Sequence, residues 1–146
     1  MHKIGFSEAL EAIIAADIRY DREAYVFLRD ALDFTMKQRK KNAKEDFPRH
    51  VSGQELLEGV RQFAIKEFGP MVPTVFGYWR VQCCEDIGEM VFNLINVGIF
   101  GKTDRDTKED FKNGYSFKTA FVDPFLPAEA PLRPESVSDA TASKIS

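Results

Sequence analysis

The chain has 146 residues, of which 44% are hydrophobic and 29% charged, and its formal net charge is -3. A chain of this length can bury roughly 70% of the surface that it exposes when unfolded, which is enough for one stable domain. No run approaches the ~18 apolar residues of a membrane span, and no apolar stretch follows the first three residues as in a signal peptide. We therefore expect a cytoplasmic protein.

The first two predicted helices lie between residues 7 and 39. Ser7, followed by Glu8 and Glu11, predicts a capped helix that ends near Asp17. Asp21 can cap a second helix that runs from Arg22 to about Arg39. The apolar arc of this second helix is wider than packing on one side requires, so we expect it to pack against two neighbours as the central helix.

Residues 37–49 form a basic segment in an acidic chain. Six Lys or Arg residues stand against Glu45 and Asp46, which leaves a net charge of +4. A polyanion or an acidic partner would be attracted to this segment. The alternative explanation is structural, because cations there complement the negative end of the second helix dipole. The candidate contact residues are Lys37, Arg39, Lys40, Lys41, Lys44 and Arg49.

Two further helices are predicted before residue 80. The sequence SGQE at residues 52–55 matches a capping box, and the helix that follows runs to Phe68. Gly69 and Pro70 end it, because glycine accepts a positive φ and proline cannot continue a helix. Pro73 can occupy the first turn of a short fourth helix that reaches Trp79.

The fifth predicted helix spans residues 84–97, and Gly98 ends it. Its apolar residues recur at spacings of three and four, and its polar arc contains no cation. We expect Asn93, in that polar arc, to contribute little to stability. The apolar positions are Ile87, Met90, Val91, Leu94 and Ile95, and the polar ones are Glu85, Asp86, Glu89, Asn93 and Asn96.

Beyond the fifth helix, the sequence suggests β-structure and then a tail. The tripeptide GIF at residues 98–100 could form a short strand, and Asn113-Gly114 suits a two-residue hairpin turn. The predicted fold class is mainly α (α+β), with two N-terminal helices packed on a helix-turn-helix or winged-helix-like unit that carries a small hairpin. Residues 1–122 would form a single globular domain, and residues 123–146 a disordered tail rich in Pro, Ala, Ser and Thr.

Three blocks of sequence resemble a family of short uncharacterised bacterial proteins found in planctomycetes and verrucomicrobia. They are DIRYDREAYVFLRDALDFT, HVSGQELLEGVRQFAIKEFGPM and CEDIGEMVFNLINVGIFGKTDRDTKEDFKNGYSF. The resemblance covers roughly residues 8–121. It implies a bacterial origin and a compact domain, but it supplies no functional residue.

The residue types that carry catalysis or bind metals are sparse. Cys83 and Cys84 are adjacent and unsuited to a mutual disulfide, so a reducing compartment fits, and a packing role at the start of a helix is favoured over a metal site. The acidic run DRDTKED lacks the turn glycine and the bidentate glutamate of a calcium loop. His50 is the one plausible general base of the domain. We therefore expect no enzymatic activity, no cofactor and no metal.

Two binding hypotheses remain. A DNA recognition helix lies against phosphates and reads bases with Arg, Lys, Asn or Gln, whereas the fifth helix offers three carboxylates that would repel a duplex. This favours a non-enzymatic protein-interaction module. The alternative is a nucleic-acid-associated protein that docks through the basic segment 37–49.

Overall fold

The computed structural model describes residues 5–42, 51–101, 107–112 and 114–127, with the backbone alone at residues 41 and 42. Within these ranges it contains five α-helices and no strand. None of these helices is long and apolar enough to cross a membrane. The mainly α class is confirmed. The helices are α1 (Phe6–Ala16), α2 (Arg22–Asn42), α3 (Gly53–Phe68), α4 (Val72–Tyr78) and α5 (Cys84–Asn96).

Most helix ends follow the local signals. The Ser52 hydroxyl accepts a hydrogen bond from the Glu55 N–H at 3.1 Å, and the Glu55 carboxylate accepts one from the Ser52 N–H at 2.9 Å. Gly69 and Gly98 follow α3 and α5 with φ values of +52° and +85°. Such values favour glycine, because it has no Cβ to clash with the backbone. The capping box and both glycine stops are therefore confirmed.

The start of α1 differs from the prediction. Gly5, not Ser7, precedes the first helical residue, and Glu8 accepts a hydrogen bond from the Gly5 N–H at 3.2 Å. Ser7 lies inside the helix, where its hydroxyl accepts a hydrogen bond from Arg22 at 3.1 Å. The helix therefore begins two residues earlier, at Phe6, which packs against the core and lies under the Arg29 guanidinium at 4.2 Å. This tertiary contact outweighs the local preference for serine at the cap.

Helix α2 is central, as its wide apolar arc predicted, since it packs against both α1 and α3. The ring of Phe27 lies 5.4 Å from those of Phe63 and Trp79, and 5.6 Å from that of Phe76. Aromatic pairs at such distances stabilise a core beyond the area that they bury. Met36 is the exception on this arc, because 43% of its surface is exposed.

Helices α2 and α3 approach each other closely at Thr35 and Gly59. A Cβ atom on Gly59 would overlap the Thr35 hydroxyl oxygen and lie 2.8 Å from Thr35 Cβ. Thr35 is 5% exposed, and its hydroxyl donates a hydrogen bond to the Ala31 carbonyl at 2.7 Å. The absence of a side chain at residue 59 therefore sets the distance between the two helices.

The predicted β-structure is not found in the part of the chain that the structure describes. Residues 98–100 form a turn in which the N–H groups of Ile99 and Phe100 donate to the Leu94 carbonyl at 2.9 and 3.2 Å. A 3-10 helix at Lys108–Phe111 overlaps the first expected hairpin flank, whereas residues 114–116 form no regular secondary structure and precede a π-helical turn at Lys118–Val122. Asn113 itself lies outside the described residues. The strand at GIF is thus wrong, and the hairpin and winged-helix details are not confirmed.

Close packing explains why the 3-10 helix forms here. Phe111 is 3% exposed, and Cβ atoms on Gly53 and Gly88 would lie 3.1 Å and 2.8 Å from its side chain. Its ring thus fills a slot between α3 and α5 that two glycines leave open. A strand pattern read from the aromatic residues could not anticipate this slot.

Helical structure extends past residue 122, where the sequence predicts the boundary between domain and tail. Residues Asp123–Phe125 form a 3-10 helix directly after the π-helical turn, and the Leu126 N–H donates to the Asp123 carbonyl at 3.1 Å. The predicted boundary at residue 122 therefore falls within a continuous helical segment. Residues 128–146, the rest of the predicted tail, lie outside the described residues.

Candidate functional site

Four of the predicted contact residues lie on the last turns of α2, and the side chains of three of them are described. Lys37 Nζ is 3.0 Å from the Asp33 carboxylate, and both side chains are largely exposed. Arg39 is only 17% exposed, and its Nε lies 3.4 Å from the Glu55 carboxylate in the first turn of α3. Lys40 is exposed to solvent. The side chain of Lys41 is not described, and Lys44 and Arg49 lie outside the described residues.

Sequence reasoning missed an apolar pocket of about 210 Å³ beside this end of α2. Three helices supply its walls, and the turn after α5 and the 3-10 helix supply Phe100 and Phe111. No sequence signal marks the pocket, because the lining residues are far apart in the chain and read locally as core positions. The main lining residues are Leu32 and Met36 of α2, Val51 and Leu56 at the start of α3, and Val91 and Ile95 of α5.

The polar groups around the pocket are mostly engaged with each other. The Ser52 hydroxyl caps α3, and the Glu55 carboxylate near the mouth pairs with Arg39. Asp110 lines the wall, and its carboxylate accepts a hydrogen bond from the Thr107 N–H at 3.2 Å. The pocket therefore offers a mainly apolar surface, and the acidic groups near it already form an ion pair or accept a hydrogen bond within the protein.

The polar arc of α5 is not an open face. Arg19 of the α1–α2 connection lies 2.7 Å from the Asp17 carboxylate and 3.2 Å from that of Glu89, and Lys108 lies 3.1 Å from Glu89. The hydrogen bond from Arg19 holds the pKa of Asp17 well below its usual range, and that from Lys108 lowers the pKa of Glu89. Asp86 accepts a hydrogen bond from the Tyr20 hydroxyl at 2.6 Å.

These contacts engage most of the carboxylates on the polar arc of α5. Two of its three carboxylates, Asp86 and Glu89, are partnered within the protein, which leaves Glu85 as the exposed acid of the arc. Contacts within the protein therefore engage two of the three carboxylates of this arc.

Asn93 also differs from its predicted role. Its side-chain amide donates hydrogen bonds to the Asp17 carboxylate at 3.0 Å and to the Tyr25 hydroxyl at 3.1 Å. Tyr25 is fully buried, and burial raises its pKa. Asn93 thus joins α5 to α1 and α2 through partners that lie far away in sequence. Helical periodicity places a polar residue on a face but cannot show what covers that face.

The two cysteines are placed for packing. Cys84 is 2% exposed, its Sγ lies 3.4 Å from the Tyr115 carbonyl oxygen, and burial raises its pKa to about 12. Burial also raises the pKa of Cys83, which immediately precedes α5. Both groups are therefore thiols at neutral pH and weak nucleophiles. In the described ranges, no group of three or more His, Cys, Asp or Glu side chains could hold a metal ion.

Comparison with known proteins gives no match, whether with protein-family models, curated proteins or solved structures. The resemblance to planctomycete and verrucomicrobial proteins therefore stays a prediction.

Proposed function

We propose that the protein is a non-enzymatic protein-interaction module that binds its partner through the apolar pocket between α2, α3 and α5. The observation that carries this proposal is the pocket itself, whose walls are mainly apolar. Of the nearby acids, Glu55 is paired with Arg39, and Asp110 accepts a hydrogen bond from the Thr107 N–H. Burial of apolar surface is the main favourable term in most protein association.

The size of the pocket favours a single side chain as the occupant. A cavity of about 150 Å³ accepts a benzene molecule, whereas sites for drug-sized ligands usually span about 300–1,000 Å³. At about 210 Å³, this pocket matches one aromatic or branched aliphatic side chain better than a whole small ligand. Such a side chain is the usual anchor of a protein interface.

Met36 supports the same interpretation. It lines the pocket while 43% of its surface remains exposed. Methionine is unbranched and polarizable, so it adapts its shape to an incoming group and is frequent on binding surfaces.

A helix-turn-helix-like arrangement of α3 to α5 is part of the proposal, with the arrangement serving as a scaffold for the pocket. Recognition of DNA through α5 is disfavoured, because Asp86, Glu89 and Asn93 already contact neighbouring elements. The two thiols are compatible with the reducing cytoplasm as the proposed compartment. Docking of nucleic acid through residues 37–49 is the alternative that the experiment must exclude.

The test is an affinity capture from the source organism with a matched pair of variants, run with and without nuclease. Ile95→Glu places a charge at the half-buried pocket wall. Tyr78→Ser removes an apolar side chain that is 81% exposed on α4, and therefore serves as the control. We expect a partner that wild type and Tyr78→Ser retain after nuclease treatment and that Ile95→Glu loses. Retention by a folded Ile95→Glu protein, or loss after nuclease, would refute the proposal.

A further inference from the structure

We propose that the partner presents an acidic segment, which inserts one large apolar side chain into the pocket and sets its carboxylates against the Lys40 end of α2. This inference rests on the proposed function and adds the chemistry of the partner. It follows from three features of the pocket's surroundings.

The first feature is the stripe of α2 that faces the pocket. Leu32, Met36 and Lys40 follow one another at spacings of four residues, so they lie on the same helical face. Leu32 and Met36 line the pocket, and Lys40 lies one turn further along, exposed to solvent. One turn of helix is about 5.4 Å, which places an ammonium group within reach of the residues that flank an inserted side chain.

The second feature concerns which charged groups near the pocket already have a partner within the protein. Glu55 is paired with Arg39, and Asp110 accepts the Thr107 N–H. In the described part of the chain, no carboxylate forms an ion pair with Lys40. Its positive charge is therefore not neutralised by the acids that lie around the pocket.

The third feature is the position of the basic segment in the sequence. Met36 and Val51 both line the pocket, and residues 37–49, with a net charge of +4, all lie between them in the sequence. Stabilisation of the α2 dipole accounts for cations at the end of this helix. It does not account for the exposure of Lys40 one helical turn beyond Met36, which lines the pocket, whereas recognition of an acidic segment accounts for both.

The experiment measures the binding of labelled, capped hexapeptides by fluorescence anisotropy. The probes are EEFLEE, its neutral and basic analogues SSFLSS and KKFLKK, and EEGGEE, which lacks the apolar anchor. Lys40→Glu reverses the charge beside the pocket. Lys66→Glu makes the same change on an exposed turn ten residues beyond Leu56, about 15 Å along α3, and is the matched control.

We expect EEFLEE to bind wild type more tightly than SSFLSS, and both to bind more tightly than KKFLKK and EEGGEE. Lys40→Glu should weaken the binding of EEFLEE about two- to fivefold, the usual scale of one exposed charge contact, and strengthen that of KKFLKK. Lys66→Glu should change neither affinity by a comparable amount. Reversal of the preference by a charge swap at one residue would assign the contact to Lys40.

The two proposals fail in different ways. If EEFLEE, SSFLSS and KKFLKK bind equally, and Ile95→Glu abolishes binding of all three, the pocket is a docking site but the acidic partner is wrong. If no peptide with the apolar anchor binds, or Ile95→Glu leaves binding unchanged, the proposed function fails as well. Salt-sensitive binding of a random-sequence DNA that displaces EEFLEE and is lost in Lys40→Glu would replace the acidic segment with a polyanion.

Discussion

Replacement of Gly59 by alanine tests the close contact between α2 and α3. The added Cβ would overlap the Thr35 hydroxyl oxygen and lie 2.8 Å from Thr35 Cβ and 3.1 Å from its Cγ2. Overpacking of this kind costs typically ~1–3 kcal/mol, and occasionally more. The gain in helix propensity from glycine to alanine is about 1 kcal/mol. The new Cβ atom would strike both Cβ and the hydroxyl of Thr35 and force the two helices apart. We therefore expect the cost of the clash to exceed the gain in helix propensity, and the free energy of unfolding to fall by about 2 kcal/mol.

Urea unfolding, followed by circular dichroism and by the fluorescence of Trp79, measures this change. Gly77→Ala, on α4, is the matched control, because a Cβ atom at residue 77 would have no neighbour within 4 Å. We expect this substitution to be neutral or slightly stabilising. Thr35→Ala removes the hydroxyl and the methyl group that the new Cβ at residue 59 would strike, so the double variant should recover at least about 1 kcal/mol relative to additivity. If Gly59→Ala were as stable as wild type, or Thr35→Ala gave no rescue, the described α2–α3 contact would be refuted.

Four further predictions concern α5 and its partners. Leu94 is fully buried, so Leu94→Ala should lower the free energy of unfolding by about 2–5 kcal/mol. Asn93→Ala should cost about 1–3 kcal/mol because it removes the donor to the buried Tyr25 hydroxyl and one of the donors to Asp17, which keeps Arg19. The exposed Asn96→Ala should stay within about 0.5 kcal/mol, and equal values for the two asparagines would contradict the network. Because the pKa of Asp17 is lowered in the folded protein, its contribution to stability is present above the unfolded pKa of about 3.9 and is lost as the pH falls below it. Urea midpoints between neutral pH and about pH 2 should therefore fall less steeply for Asp17→Asn than for wild type, and parallel curves would remove Asp17 from the acid transition. Finally, Cys84, with its pKa raised to about 12, should react with a thiol reagent at neutral pH far more slowly in the folded than in the urea-unfolded protein, and equal rates would show that it is not buried.

Local signals were sufficient for most of the helical framework. The capping box at Ser52, the glycine stops at Gly69 and Gly98, and the apolar spacing of α5 act within a few residues, so they can be recognised without the rest of the chain. The width of the apolar arc on α2 also predicted its central position correctly. These features depend on backbone geometry and periodicity, which hold whatever the partners of each helix are.

Tertiary packing decided the remainder. The slot between Gly53 and Gly88 holds Phe111 in a 3-10 helix where alternating aromatic residues suggested a hairpin flank. Asn93 and Asp17 are 76 residues apart in sequence, yet they form one hydrogen bond, and this turns a predicted solvent face into a contact between helices. The pocket likewise needs α2, α3 and α5 to be placed together, because each contributes at most three apolar side chains, which alone resemble ordinary core positions. Contacts between distant segments depend on which surfaces are buried against each other, and a local sequence pattern does not specify this.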